Sequence, residues 1–138
     1  MKNKKNIVIK IGTTSIIKDK LLNKEFIKSL ARNVKLLKDE GVNTLIVTSG
    51  AVQLGANELE LTKRPTNLKS LQVASAVGQI ELINSFKNIF NESNLKVGQV
   101  LISKNVLEDR SQFINTTDAL IELLNQDIIP VILSLIHI

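Results

Sequence analysis

An alternation constrains this chain more than any other feature of its sequence. Four short apolar runs rich in β-branched residues, "IVIKI", "TLIVTSG", "KVGQVLIS" and "DIIPVI", are separated by segments whose apolar residues recur three or four apart. Ile7, Val8, Ile9 and Ile11 read as a buried strand ending at Gly12. Asn23 is placed to cap the helix that follows, in which Phe26, Ile27, Leu30, Val34 and Leu37 share a face, with Gly41 where a C-terminal cap belongs. Thr44 to Gly50 forms a second run and passes directly into a short helix over "AVQLGANEL". A loop, "LTKRPTN", leads to a longer helix from Asn67 in which Leu71, Ala74, Gly78, Leu82, Phe86 and Ile89 line up. Gly78 on that packing face predicts close approach of a neighbouring element. Lys96 to Ser103 is the third strand. The helix after it carries Phe113, Ile114, Leu120, Ile121 and Leu124, with Ser111, Asn115 or Thr116 as its cap, before the fourth strand at "DIIPVI". Strands and helices in this order predict an α/β fold, a three-layer sandwich with a mostly parallel open sheet and helices on both faces.

Composition narrows the function classes. The 138 residues suffice for one domain with a real core, and with 3% aromatics the packing falls to Leu, Ile and Val. A net charge of +5 comes from lysines spread along the chain without interleaved aromatics, which reads as a solvated surface and not a nucleic-acid interface. No cysteine is present, so disulfides and thiolate metal sites are excluded. The basic opening "MKNKK" precedes an apolar run too short for a signal peptide or a membrane span, so no membrane partner is expected and the default location is the cytoplasm.

In open parallel sheets, ligands bind at the carboxyl ends of the strands. Two of these ends have chemical character. At Lys10-Ile11-Gly12-Thr13-Thr14-Ser15, a glycine lets main-chain N–H groups turn toward a phosphate, hydroxyls add donors, and a lysine supplies a point charge. The spacing matches neither a P-loop nor a dinucleotide-binding turn, and a strand-end lysine also serves as a solvated, edge-protecting residue. At Thr48-Ser49-Gly50-Ala51, a strand runs into a helix whose first N–H groups favour an anion, and plain N-capping is the alternative. Glu108, Asp109 and Arg110 form the one compact charge cluster, which reads as a solvated turn or helix start ahead of acid/base or magnesium chemistry. Asn115 reads as a cap, and no metal-ligating set is assigned.

Taken in order and at their separations, "IVIKIGTTS", "LIVTSGAVQLGA", "LQVASAVGQIELINSF", "VGQVLIS", "LEDRSQFINTTDALIELL" and "IIPVI" resemble the glutamate 5-kinase family of the amino acid kinase superfamily, from Ile7 to Ile132. The resemblance implies transfer of the γ-phosphate of ATP, with Mg2+, to the side-chain carboxylate of L-glutamate, as the first step of proline synthesis. It implies that Lys10 contacts ATP beside the transferred phosphoryl group, as a catalytic residue, and that Gly12 and Thr13 form the adjacent phosphate-facing turn. Ser49 matches a glutamate-binding serine, with Gly50 and Ala51 in the same substrate loop. A homo-oligomer is the implied assembly of the intact protein.

The match breaks after "PVI", where the family continues Asn-Glu-Asn-Asp and this chain reads Leu133, Ser134, Leu135, Ile136. Residues 1–132 are therefore expected to be the N-terminal, glutamate-binding half of a kinase domain, without activity by itself. Residues 133–138, "LSLIHI", resemble an in-frame translation of a transposase adapter used for sequencing libraries and are expected to be a non-native tail. His137 accordingly receives no role. Competing readings are another superfamily member, acting on aspartate, acetylglutamate, carbamate or UMP, and a non-catalytic α/β binding module.

Overall fold

The computed structural model describes residues 4–102 and 108–134. Strand β1 (Lys5–Ile11) ends at a single helical turn, α1 (Thr13–Ile16), followed by a small antiparallel hairpin, β2 (Ile17–Lys18) and β3 (Leu21–Leu22). Helix α2 (Lys24–Asp39) leads to β4 (Val42–Thr48), and α3 (Ala51–Glu58) and α4 (Leu68–Glu92) lead to β5 (Lys96–Ile102). Helix α5 (Arg110–Asn125) then returns the chain to β6 (Ile128–Ser134).

The four long strands form one all-parallel sheet in the order β1-β4-β6-β5. The chain steps outward from β1 to β4 to β5 and then back to insert β6. Because such crossovers are right-handed, the reversal sends α5 to the opposite face from α2 and α4. Side-chain parity agrees. Val97 packs with the core under α4, whereas the next residue, Gly98, faces Leu123 of α5. The expected three layers are present.

The core lies on the α2/α4 face, where Ile11, Ile46, Ile129, Val131 and Leu133 of the sheet meet Ile27, Val34, Leu82, Phe86 and Phe90 of the helices. The rings of Phe86 and Phe90 lie 5.6 Å apart, inside the range of favourable aromatic pairs. The α5 layer is thinner: α5 buries no residue, and Phe113, Ile114 and Ile121 stay about half exposed. The apolar stripe expected on that helix is therefore only partly covered within these residues.

Caps follow the sequence at two of the three long helices. Asn23 accepts from the Phe26 N–H and Asn67 from the Ser70 N–H, and Gly41, at φ +81, closes α2 in the left-handed region. At α5 the expected caps are corrected. Asp109, and not Ser111, Asn115 or Thr116, holds the end, its carboxylate accepting from the N–H groups of Ser111 and Gln112. A charged acceptor one residue before the helix outcompetes hydroxyl and carboxamide side chains already inside it. Gly78 does meet a neighbour: a Cβ there would collide with the Ala51 carbonyl, and one at Gly55 with that of Ala74. Helices α3 and α4 thus cross backbone to backbone.

Two sequence expectations are adjusted at their edges. The second apolar run begins as a strand at Val42 and ends at Thr48, which leaves Ser49 and Gly50 in the loop beyond it. The last strand continues past Ile132 through Leu133, which is buried, to Ser134. Leu135, Ile136, His137 and Ile138 lie outside the described residues, as do residues 103–107 of the link before α5.

Candidate active site at the carboxyl ends of the strands

Strands β1 and β4 are neighbours in register, with Ile11 beside Thr48. Their two carboxyl-end loops therefore leave the sheet side by side. One atom joins them. The main-chain N–H and the Oγ–H of Ser49 both donate to the Ile11 carbonyl, at 3.2 and 3.1 Å. Above this root, Gly50 sits at φ +110, and a Cβ on it would lie 2.6 Å from Cγ2 of Ile16 in α1. Glycine is required at position 50 by both the backbone and the space, because α1 seats its one buried side chain there. Ile16 is tied in turn to the next element, its carbonyl accepting from the Asn23 N–H at 2.8 Å.

The first loop presents the donors expected of it. Gly12 precedes α1 with φ −82, ordinary for any residue, and a Cβ there would meet nothing within 4 Å. Packing does not demand glycine at this position, and the space above its main chain is open. The N–H groups of Thr13 and Thr14 open the helical turn and have no partner inside it, while Ser15 and Ile16 both bond back to the Gly12 carbonyl. Lys10, two residues earlier on the same side of β1 as Gly12, is exposed and makes no ion pair among the described residues. An ammonium with no ion pair among the described residues, N–H groups with no partner inside the turn, and hydroxyls lie along one strand end, a set suited to an anion.

Of the sequence-predicted residues, Lys10 near the end of β1, Gly12 and Thr13 at the start of α1 thus follow one another along one strand end, and Ser49 and Gly50 lie in the adjoining loop. Ala51 is different. It is buried at the start of α3, and its main-chain carbonyl lies against Gly78 in the helix crossing. Asp109, from the charge cluster, is spent on capping α5. The hairpin β2–β3 was not legible in the sequence, although it ties α1 to α3: the Asn57 side-chain amide donates to the Lys20 carbonyl at its tip. Its turn residues, Asp19 and Lys20, both have positive φ, and a lysine there gives no turn signal.

Among the described residues no group of three or more His, Cys, Asp or Glu is placed to hold a metal ion. The two loops offer an ammonium, hydroxyls and amides but no carboxylate, so they do not fit a protein-held magnesium site.

Residues 5–138 match the amino acid kinase family. This chain belongs to that family. Among curated amino acid kinase family relatives, it is 37% identical over 131 residues to the glutamate 5-kinase of Haemophilus influenzae (strain Rd), covering 94% of this chain and 36% of that protein. It is 36% identical over 136 residues to the glutamate 5-kinase of Listeria monocytogenes serotype 4b, covering 96% and 48%. The chain thus spans between about a third and a half of the length of these relatives. Among solved structures, a UMP kinase from Ureaplasma parvum superposes with a TM-score of 0.62 at 17% identity, covering 95% of this chain and 56% of that one. An isopentenyl phosphate kinase from T. acidophilum gives 0.58 at 17%, covering 94% and 54%. Those two likenesses establish the fold. No described helix is long and apolar enough to cross a membrane.

Proposed function

We propose that this chain supplies one wall of the active site of an ATP-dependent kinase that phosphorylates the side-chain carboxylate of L-glutamate. The observation that carries the reading is the double hydrogen bond from Ser49 to the Ile11 carbonyl, which fixes the Lys10–Thr13 loop against the Ser49–Gly50 loop. Phosphoryl transfer from ATP to a carboxylate needs no covalent enzyme intermediate. A carboxylate oxygen attacks the γ-phosphorus in line, the bond to the ADP oxygen breaks, and catalysis rests on positioning and on neutralising the charge of the equatorial oxygens. In this reading the Lys10 ammonium and the Thr13 and Thr14 N–H groups face the transferred phosphoryl group, and the Ser49 loop holds the amino acid. Magnesium would be held by the nucleotide phosphates and would supply charge neutralisation there, since these two loops carry no carboxylate for it. Glutamate, in preference to UMP or another acceptor, is favoured by the names of the relatives at 36 to 37% identity.

The activity proposed is that of a whole kinase domain, so the test grafts residues 5–132 in place of the matching segment of the Haemophilus influenzae glutamate 5-kinase. The folded chimera is expected to form hydroxylamine-trapped glutamyl phosphate with ATP and L-glutamate, and to give none with aspartate, N-acetylglutamate, carbamate or UMP. A chimera that melts cooperatively and yet makes no glutamyl phosphate would remove this reading and leave the binding module in its place.

A further inference from the structure

We propose that Thr48 is a positioning residue for the phosphoryl transfer, its buried hydroxyl holding the Ser49–Gly50 peptide of the amino acid loop in one orientation. The inference rests on the reading of that loop as the one that holds the amino acid. Two hydroxyls stand at this strand end, and N-capping of α3 is the plain role open to either. Neither takes it. The N-cap position is Gly50, and no side chain accepts from the first turn of α3. Thr48, 0% exposed at the end of β4, instead donates its Oγ1–H to the Ser49 carbonyl at 3.0 Å, while the Ser49 hydroxyl goes to Ile11.

The residue that follows gives this bond its importance. A peptide unit flips by changing ψ of the residue before it together with φ of the residue after it, and a side chain on the second residue resists positive φ. Gly50 offers no such resistance, since glycine populates both signs of φ about as readily. It stands at φ +110. The peptide units on either side are pinned by other bonds: the Ser49 N–H donates to the Ile11 carbonyl at 3.2 Å, and the Gly50 carbonyl accepts from the Leu54 N–H at 3.1 Å. Between them, the Ser49 carbonyl has the Thr48 hydroxyl as its sole hydrogen-bond partner among the described residues. Thr48 itself is fixed in the sheet, in register with Ile11 of β1 on one side and Leu133 of β6 on the other. Because the carbonyl and N–H of a trans peptide point in opposite directions, a flip would put an acceptor where the loop now has a donor. A loop that holds a dicarboxylate needs the donor.

The test uses the chimera carrying residues 5–132. Thr48→Val keeps the shape and removes the hydroxyl. It is expected to raise KM for L-glutamate by about tenfold or more, the size of one hydrogen bond to a charged group, and to leave KM for ATP within about twofold. Thr48→Ser, which restores the donor, is expected to bring KM for L-glutamate back to within about threefold of the unmodified chimera. An unchanged KM for L-glutamate in Thr48→Val, or a joint rise of both KM values such as general loosening produces, would overturn the proposal. So would a crystal structure of the unmodified chimera with L-glutamate bound in which the Thr48 hydroxyl has left the Ser49 carbonyl, whether or not the valine variant folds. An unmodified chimera that makes no glutamyl phosphate removes the parent reading and this role with it, a failure told apart because it appears without any substitution at Thr48.

Discussion

At the scale of single residues, the positions that join the two loops are committed to geometry before any ligand arrives. Gly50 combines a left-handed backbone with a socket for Ile16, so Gly50→Ala is expected to destabilise the fold by about 1–3 kcal/mol. Equilibrium urea unfolding would show this, and a loss below about 0.5 kcal/mol would mean that α1 reseats freely. Asn23→Ala removes the α2 cap and is expected to cost about 1 kcal/mol in the same assay. The sequence made Asn23 and Gly41 legible because caps are local. It could not reveal that Ser49 spends its hydroxyl on Ile11, 38 residues away, because that bond exists only once β1 and β4 pair. Lys10 stayed ambiguous on spacing alone. In the fold it is exposed on the edge strand β1 and makes no ion pair among the described residues, which an available cation and an edge-protecting one share, so the kinetics of Lys10→Ala must separate them.

At the scale of elements, the crossing of α3 and α4 is the most demanding contact. Gly55 and Gly78 each lie where a methyl group would meet main chain of the other helix, which cannot yield as a side-chain tip can. Gly78→Ala is therefore expected to cost several kcal/mol, about 3 or more, despite the better helix propensity of alanine. Circular dichroism during urea titration reads this directly, and a stabilised Gly78→Ala variant would disprove the close crossing. The same crossing positions Ala51, and through it the start of α3 beside Ser49. Strands and long helices were legible because β-branched runs and three-to-four spacing report burial. The hairpin β2–β3 was not, since it is two residues per strand with Asp19-Lys20 at its turn. Likewise Asp109 drew attention as a charge and turned out to be a cap.

At the scale of the whole molecule, the strand order β1-β4-β6-β5 could not be read from alternation, which predicts parallel pairing but not that the last strand inserts between earlier ones. That order leaves β1 and β5 as edges and, with Val8, Phe113, Ile114 and Ile121 about half exposed or more, leaves apolar surface uncovered on the α5 face. The isolated chain is expected to associate as its concentration rises, by edge pairing and apolar contact. In sedimentation velocity, a single monomeric species across the concentration range would refute this. The central claim is that two neighbouring strand ends form one wall of a phosphoryl-transfer site, with Lys10 as its charge. It is tested most directly by the turnover number of the chimera carrying residues 5–132, compared with its Lys10→Ala variant in glutamyl phosphate formation. The account predicts a fall in kcat of about 100-fold or more, with folding stability within about 0.5 kcal/mol because Lys10 is exposed and makes no described ion pair. A variant that keeps its kcat would contradict it.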